Sequence, residues 1–565
     1  MATSDIAVLA AYFVTILTVG AVYAPQMKSV NTYFAGGKQL SWWIGGVSFL
    51  MSYVSALSIV VYADLGYQYG FVALTLYWCA VPASFLMTWI LAHRWRRAGI
   101  VTPVEFLETR FSSGVRQVFA WSGIPLKIID EGLKIIAIGI FVSAGMKIPP
   151  MTAMIAVGVV TLIYTVLGGL WAVVITDFVQ FVLVTTAILM LVPLSWHAVG
   201  GWRHFLASVP PGFFKPVSGS YSWGYIGAFF LLTLLSLSGN WSLIQKFYSA
   251  RSDRDCRGIG WLATALFFIL PPTWILTGIF ARAFIPPSGF DPQAIYGRVS
   301  ALLLPSGMLG LVIAALFAAT MSVLSSGYNV IAAVLTVDIH QRLLHPGASQ
   351  REMVLVGRVL TAVVAALALA IALGVTYFHW TIFDTMVAAF GFFLPPTVLP
   401  MLAGLLSQRL SAAGAMAGFW GGIAIGLGFL LYRWIAVPPD PNAFQAISIV
   451  CSIGVTTAIL MVAARWYPAT GEAAERAAVF TERLNRPSAP ALQTTASPAP
   501  IAGSVILTMG LVLSIIGLGF LAPSPNNLTL GTGVFFALIG GWMVSSRFTR
   551  RDSQSRSEVK PRGPG

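Results

Sequence analysis

Charge is what this 565-residue chain has least of: Asp, Glu, Lys and Arg make up 9 % of it, against 57 % hydrophobic residues. That excludes a water-soluble globule, because no soluble fold hides so much apolar surface. Cysteine is almost as scarce. Cys79, Cys256 and Cys451 lie scattered over two apolar runs and one loop, which excludes a disulfide framework and a cysteine zinc site. The six histidines (His93, His197, His204, His340, His345 and His379) form no H-E-x-x-H spacing. Also missing are G-x-S-x-G, a Walker A loop and paired carboxylates at a catalytic site. An enzyme is excluded for want of reacting groups, and a nucleotide-driven pump for want of a nucleotide site. No basic leader with an A-x-A cleavage site stands before the first apolar run, so residues 6–25 read as a retained span.

What is present is long hydrophobic runs, with a mean hydropathy of +0.82. A helix needs about 20 apolar residues to cross a bilayer. Fifteen segments reach or approach that length: 6–25, 42–62, 71–92, 117–146, 150–167, 172–197, 223–246, 260–281, 307–337, 357–376, 380–406, 412–432, 444–464, 501–521 and 528–546. Backbone groups in lipid must be satisfied within their own segment, which makes these helices, and the alternation of a membrane barrel is absent. The expected fold class is an all-α polytopic membrane protein. Tryptophans Trp42, Trp43, Trp78, Trp95, Trp223 and Trp380 sit near span ends, as interfacial aromatics do.

The net charge of +14 invites a nucleic-acid partner, but its distribution excludes one. With the N-terminus outside, the outer connections hold Lys147, Arg203, Lys215, Arg282, Arg298 and Arg433, which is 6 of the 33 Lys and Arg. Lys127 and Lys134 lie within a span, so the inner connections and C-terminal tail hold the other 33 − 6 − 2 = 25. That asymmetry orients the chain in the inner membrane with its C-terminus in the cytoplasm. The expected partners are the lipid bilayer and a small-molecule solute, and no obligate protein partner is evident. Residues 465–500 read as a cytoplasmic linker, first a surface helix and then a disordered Pro/Ser/Ala/Thr stretch. The tail Phe548–Gly565 reads as unfolded.

Several spans are interrupted as plain anchors are not. The second holds Gly45-Gly46 and then Ser48, Ser52, Ser55 and Ser58, which at ~100° per residue fall on one helical stripe. Close packing through small residues is the bland reading of that stripe. The seventh span ends in Ser236-Leu-Ser-Gly-Asn-Trp-Ser242, a sequence suited to unwinding. The ninth carries Ala319, Ser322, Ser325, Ser326 and Asn329 on one face, and Pro395-Pro396 should kink the eleventh. Broken spans in corresponding halves of a transporter are where solute and ions bind, since unwound carbonyls become free ligands. The second and seventh are five apart, as two five-helix repeats require.

Two groups carry charge at depth. Asp177 lies inside an apolar run, where a bare carboxylate costs about 2.5–3.5 kcal/mol on insertion scales. Either it pairs with a lysine or caps a helix, or it attracts a monovalent cation. In the fourth span Lys127, Asp130, Glu131 and Lys134 share one helical face and sum to zero charge. The strip reads either as an ion-paired cavity wall or as the reader of a solute's charged end.

The segment Tyr164-Thr-Val-Leu-Gly-Gly-Leu-Trp-Ala-Val-Val-Ile-Thr-Asp-Phe-Val-Gln180 is similar to a motif of the sodium:solute symporter family. So are Tyr33-Phe-Ala-Gly-Gly-Lys-Gln-Leu-Ser-Trp-Trp43, Thr102-Pro-Val-Glu-Phe106 with Arg110-Phe111, Gln245-Lys246, and Ala314 to Asp338. In order and spacing the chain resembles that family over residues 1–465. The resemblance implies a LeuT-like 5+5 inverted repeat in spans two to eleven, with one helix before and four after. The domain layout becomes 1–41 (first helix and loop), 42–406 (ten-helix core), 407–464 (two accessory helices), 465–500 (linker), 501–546 (two C-terminal helices) and 547–565 (basic tail). It also implies a sodium site between the second and ninth spans, with carbonyls from Met51, Val54 and Ala319 and a hydroxyl from Ser322; Asp177 is read beside it as an anionic relay that compensates for a lost oxygen. The next position, usually Ser or Thr, is Val323, which removes one oxygen from the set and leaves a proton as the alternative coupling ion.

The substrate positions that the resemblance implies are Ser58, Tyr77, Asn240 and Val387, joined by Asp130, Glu131 and Lys134 from the charged strip. Sugar-transporting relatives carry Gln and Glu where this chain has Ser58 and Tyr77, and an amide where it has Val387. A sugar left without those hydrogen bonds loses affinity. The expectation is sodium-coupled symport of a small polar organic solute, an organic anion or amino-acid-like. Its rivals are a proton-coupled symporter on the same fold and a non-transporting membrane sensor.

Overall fold

The computed structural model describes residues 2–23, 40–146, 148–219, 221–287, 292–305, 307–377, 382–436, 438–488, 499–519 and 526–558. Most of the Tyr33–Trp43 motif lies outside them, as do Trp380, Lys147, and residues 489–498 and 559–565. Of Tyr164, residues 166–176 and Val387, the backbone is described and the side chains are not.

The principal helices are α1 (Thr3–Tyr23), α2 (Trp42–Met51), α3 (Ala56–Tyr69), α4 (Val72–Arg97), α5 (Ser113–Met146), α6 (Pro150–Val199), α7 (Trp223–Gly239), α8 (Trp241–Tyr248) and α9 (Asp253–Ala281). They continue with α10 (Met308–Leu344), α11 (Gln350–Tyr377), α12 (Ile382–Leu406), α13 (Ala412–Ile435), α14 (Pro441–Trp466), α15 (Glu472–Asn485), α16 (Ala499–Gly517) and α17 (Asn527–Glu558). Among the described residues the only β pairing is isolated bridges. Among the described residues nine helices are long and apolar enough to cross a membrane, or eleven if each bent pair counts as one span. The fifteen expected crossings exceed that number. The remainder are the shorter apolar stretches Thr3–Thr15, Pro150–Ile163 and Ala502–Gly517, and α5, which is long but carries the charged strip. The protein is a multi-pass helical membrane protein.

Polar residues start several helices. Ser222 accepts from Tyr225 N, Ser252 from Asp255 N, Ser411 from Gly414 N, and Asp440 from Asn442 N and Ala443 N. Each such cap contributes about 1 kcal/mol. In the middle of the bundle stands α10, 94 % of whose apolar window is buried, against 28 % for α14 at the periphery. Around it pack α1, α5, α6 and α11, with the tips of α2, α3 and α8. A second group, α2, α3, α4, α7 and α9, packs on itself, and Gly45 and Gly46 let α2 lie directly on Ile259 and Leu262 of α9. Leu40 exchanges backbone bonds with Ser249 and Arg251, joining the start of the first bent pair to the end of the second.

Two expectations about local structure change, at residues 168–171 and in the C-terminal tail. Helical backbone runs unbroken from Pro150 to Val199, through the 168–171 boundary expected between the fifth and sixth spans. α12 stays helical through Pro395, Pro396 and Pro400, with Thr397 Oγ1 donating 2.5 Å to Phe393 O. The prolines remove N–H donors from the ladder without ending the helix. α17 extends to Glu558, so residues 548–558 are helical where an unfolded tail was expected.

The expected surface helix in 465–500 is α15. It buries Ala477, Phe480 and Leu484, and the Phe480 ring stacks on Phe106 at 5.8 Å. Arg97 donates to Leu484 O at 2.9 Å and pairs with Asp253 at 2.8 Å. In the loop before α5, Arg110 donates to Ser407 O and Leu410 O, and burial pushes its guanidinium down to about 10, still charged at neutral pH.

Candidate functional site

Among the described residues, the second and seventh spans are the ones that break. α2 and α3 meet at 63° and α7 and α8 at 49°. In the first break, residues 52–55 leave the helical ladder. The serine stripe expected across this span is thereby split in two. Ser55 and Ser58 form a capping box that starts α3, with Ser55 N donating to Ser58 Oγ at 3.0 Å and Ser58 Oγ to Ser55 O at 2.8 Å. Ser48 and Ser52 point the other way, into a cluster of oxygens between α2, α6, α8 and α10.

Asp177 is the centre of that cluster and is fully buried. Its Oδ2 accepts from Ser48 Oγ, and its Oδ1 lies 2.5 Å from Ser322 Oγ. Ser322 Oγ is also 3.0 Å from Met51 O, the carbonyl that the break releases. Lys246 Nζ, equally buried, stands 4.0 Å from Asp177 Oδ2 and 3.5 Å from Ser326 Oγ, which in turn is 3.1 Å from Ser52 Oγ. Ala56 N donates to Thr320 Oγ1 at 3.0 Å, pinning the break to α10. The fold thus brings Met51, Ser322 and Asp177 together. Val54 lies in the break and Ala319 one turn before Ser322, both buried. Val323 instead lines the larger cavity described below. Carboxylate, hydroxyl and carbonyl oxygens are the donor set a hard cation takes. The lysine alternative for Asp177 is realised too, because a buried carboxylate is tolerable when paired and hydrogen-bonded.

The second break falls at Asn240, whose backbone is extended (φ −69°, ψ 117°) and whose side chain caps α8 by accepting from Ser242 N at 3.0 Å. Two cavities meet there. The larger, about 1030 Å³ counting its open mouth, is lined by Ser58, Tyr62, Tyr77, Asp130, Lys134 and Phe229 among others. The smaller, about 560 Å³ on the same basis, is lined by Gly123, Lys127, Trp241, Thr397 and Met401 among others. Asp130, Ser236, Asn240 and Phe390 line both, so they form the partition between them. Tyr77 is 3 % exposed, its ring lies edge-on to Tyr62 at 4.7 Å, and its hydroxyl is buried without a hydrogen-bond partner.

The charged strip is tightly paired around Lys134. Lys134 Nζ donates to Asp130 Oδ2 at 3.0 Å and to both oxygens of Glu131 at 3.1 Å. Three donors meet three oxygens, so Lys134 offers an incoming anion no free N–H. Glu131 is 1 % exposed, and its carboxylate lies against Gly327 of α10, where a Cβ would displace it. It lines neither cavity, while Asp130 and Lys134 do. Val387 lies in α12, between the cavity residues Met386 and Phe390.

Reading residues along the chain missed three things. Lys246, Ser48 and Ser326 complete the Asp177 cluster, and Lys246 belonged to a quoted motif without a role. Lys127 borders the smaller cavity. His340, His345 and Glu352, which share no recognised metal spacing, converge at a helix hairpin with donor atoms within 4.8 Å of one another. There Glu352 bonds His345 at 2.7 Å and His340 at 3.3 Å, closing the α10–α11 turn.

Two broken helices crossing a bundle, one beside buried oxygens and one beside paired cavities, define a LeuT-like secondary transporter. A solved Na+-coupled sialic acid symporter, in its substrate-bound outward-open state, superposes with a TM-score of 0.70 over 83 % of this chain and 99 % of that one; at 21 % identity this speaks to fold. The sodium:solute symporter family profile matches residues 33–422, and the chain belongs to that family. Sodium/glucose cotransporter 4 of Danio rerio is 27 % identical over 488 residues, covering 77 % of this chain and 73 % of its own. The sodium/glucose cotransporter of Vibrio parahaemolyticus is 27 % identical over 478 residues, covering 77 % and 86 %. This protein is a transporter and not an enzyme.

Proposed function

We propose that the protein is a sodium-coupled symporter that carries a small polar organic solute into the cell across the inner membrane, N-terminus outside. The observation that carries this reading is the released carbonyl of Met51 beside Ser322 and the buried Asp177 carboxylate. Sodium held there would tie the α2–α3 break to α10 and favour the state that accepts solute, so coupling follows from differential affinity. Rocking of the two repeats about the partition would then open one cavity or the other. Between the two solute classes expected, an organic anion or an amino-acid-like compound, the saturated Lys134 favours the second. Ser58, Tyr77 and Val387 stand where sugar-transporting relatives carry Gln, Glu and an amide, so glucose itself is disfavoured although Asn240 is retained.

A proton-coupled symporter is the second reading. It is favoured by Lys246, an ammonium already beside Asp177, and by Val323, which brings no oxygen to the ion set. A solute screen by thermal unfolding of the purified protein, run in sodium and in choline chloride and followed by uptake in vesicles, tests both. Stabilisation and uptake that need sodium support the first reading. Uptake indifferent to sodium but abolished by collapsing the pH gradient replaces it with the second.

A further inference from the structure

The charged strip is paired at one end and loose at the other. Lys134 is saturated by two carboxylates, but Lys127 Nζ stands 3.6 Å from Asp130 Oδ2, beyond hydrogen-bond range. Every contact the structure gives Asp130 goes to Oδ2, which leaves Oδ1 for another donor. Lys127 borders the smaller cavity, Lys134 the larger, and Asp130 both. At the partition, therefore, a carboxylate acceptor and an ammonium donor lie one helical turn apart with capacity to spare.

We infer that Lys127 and Asp130 read the two ends of a zwitterion, so that the transported solute is an amino acid, with its ammonium on Asp130 and its carboxylate on Lys127. This rests on the symporter reading and names its solute class. Lys127, Asp130, Glu131 and Lys134 sum to zero charge, and all four are at least nine-tenths buried. An anion or a cation added to them leaves a net charge out of water, whereas a zwitterion adds none. An α-amino acid carries its two charged groups as substituents of one carbon, matching a carboxylate and an ammonium in near contact. Its side chain would then lie in the larger cavity against Tyr53, Tyr62, Tyr77, Phe229 and Phe390, an aromatic wall suited to an apolar group. The buried, unpartnered Tyr77 hydroxyl supplies one further hydrogen bond on that wall.

The test is thermal unfolding of the purified full-length protein in NaCl and in KCl. The probes are L-leucine and L-phenylalanine, the des-amino acids isocaproate and hydrocinnamate, the des-carboxy amines isoamylamine and phenethylamine, and D-glucose. Only the amino acids should raise the melting temperature. Lys127→Met should weaken L-phenylalanine by about tenfold or more in apparent affinity and make the protein accept phenethylamine, which restores neutrality. Asp130→Asn should do the converse and accept hydrocinnamate. The inference falls if glucose or a truncated analogue protects the parent protein as well as its amino acid does, if neither amino acid protects, or if both variants lose binding without the exchange of preference. Should a variant not fold, the parent protein's panel decides. Protection by an amino acid in NaCl and KCl alike would leave this inference standing and remove sodium coupling; protection by glucose in NaCl alone would do the reverse.

Discussion

The two broken helices use one geometric device for different chemistry. At the α2–α3 break the freed carbonyl of Met51 meets the Ser322 hydroxyl beside a fully buried carboxylate, while Ser52, Tyr53 and Ser55 of the same break line the larger cavity. At the α7–α8 break Asn240 caps the second half-helix and faces two cavities. A break by itself therefore says only that backbone groups have been released. What lies across from it decides whether the released groups meet an ion or a solute. The first break turns its released carbonyl toward the most buried helix of the bundle and Ser52, Tyr53 and Ser55 toward the larger cavity, whereas the second borders both cavities.

That contrast can be broken or sharpened by substitution. The largest effect is expected at Asp177→Ala, which strands Lys246 as an unpaired buried charge and should destabilise the protein by about 3–5 kcal/mol. Denaturant unfolding measures it, and adding Lys246→Met should recover most of the loss. The milder Asp177→Asn should weaken cation dependence more than solute binding, and identical sodium titrations in variant and parent would reject the ion role. Next comes Val323→Ser, which restores a hydroxyl where the family usually has one. In potassium the buried, unbonded hydroxyl should cost about 1–2 kcal/mol, and sodium should recover it. A melting temperature equally lowered in both salts would separate this position from the ion.

Asn240→Ala removes the α8 cap, a loss of about 1 kcal/mol, and should weaken solute binding while the sodium titration stays put. A change in sodium affinity as large as that in solute affinity would erase the distinction between the breaks. The smallest effect is expected at Ser58→Ala. Its hydroxyl already serves the α3 capping box, so stability should fall by about 0.5–1 kcal/mol with little change in solute affinity. A larger loss of affinity than of stability would make Ser58 a solute contact as well.

The breaks were legible because Ser-Gly-Asn in an apolar run has a local meaning: such residues favour released or capped backbone. Asp177 was legible because a lone carboxylate in hydrocarbon demands a reason. The partner of Asp177 was not, since Lys246 is 69 residues away in sequence and nothing local ties them. The serines of the second span misled for a related reason. A stripe at helical spacing presumes an unbroken helix, and once residues 52–55 unwind, Ser48 and Ser55 no longer share a face. The charged strip was legible as a strip, but which ammonium had spare donors depends on side-chain distances that spacing leaves open.

Composition and hydropathy determined by themselves that this chain lives in a bilayer, is helical, and places a handful of its few charges within apolar runs. Those follow from the cost of apolar surface in water and of unpaired backbone in lipid, which every residue reports independently. Only the tertiary structure decided that Asp177 meets Lys246 and Ser322, that Glu131 turns toward Gly327 and away from the cavities, and that Asp130 stands between two cavities. Those are pairings between helices far apart in sequence, set by packing of the whole bundle.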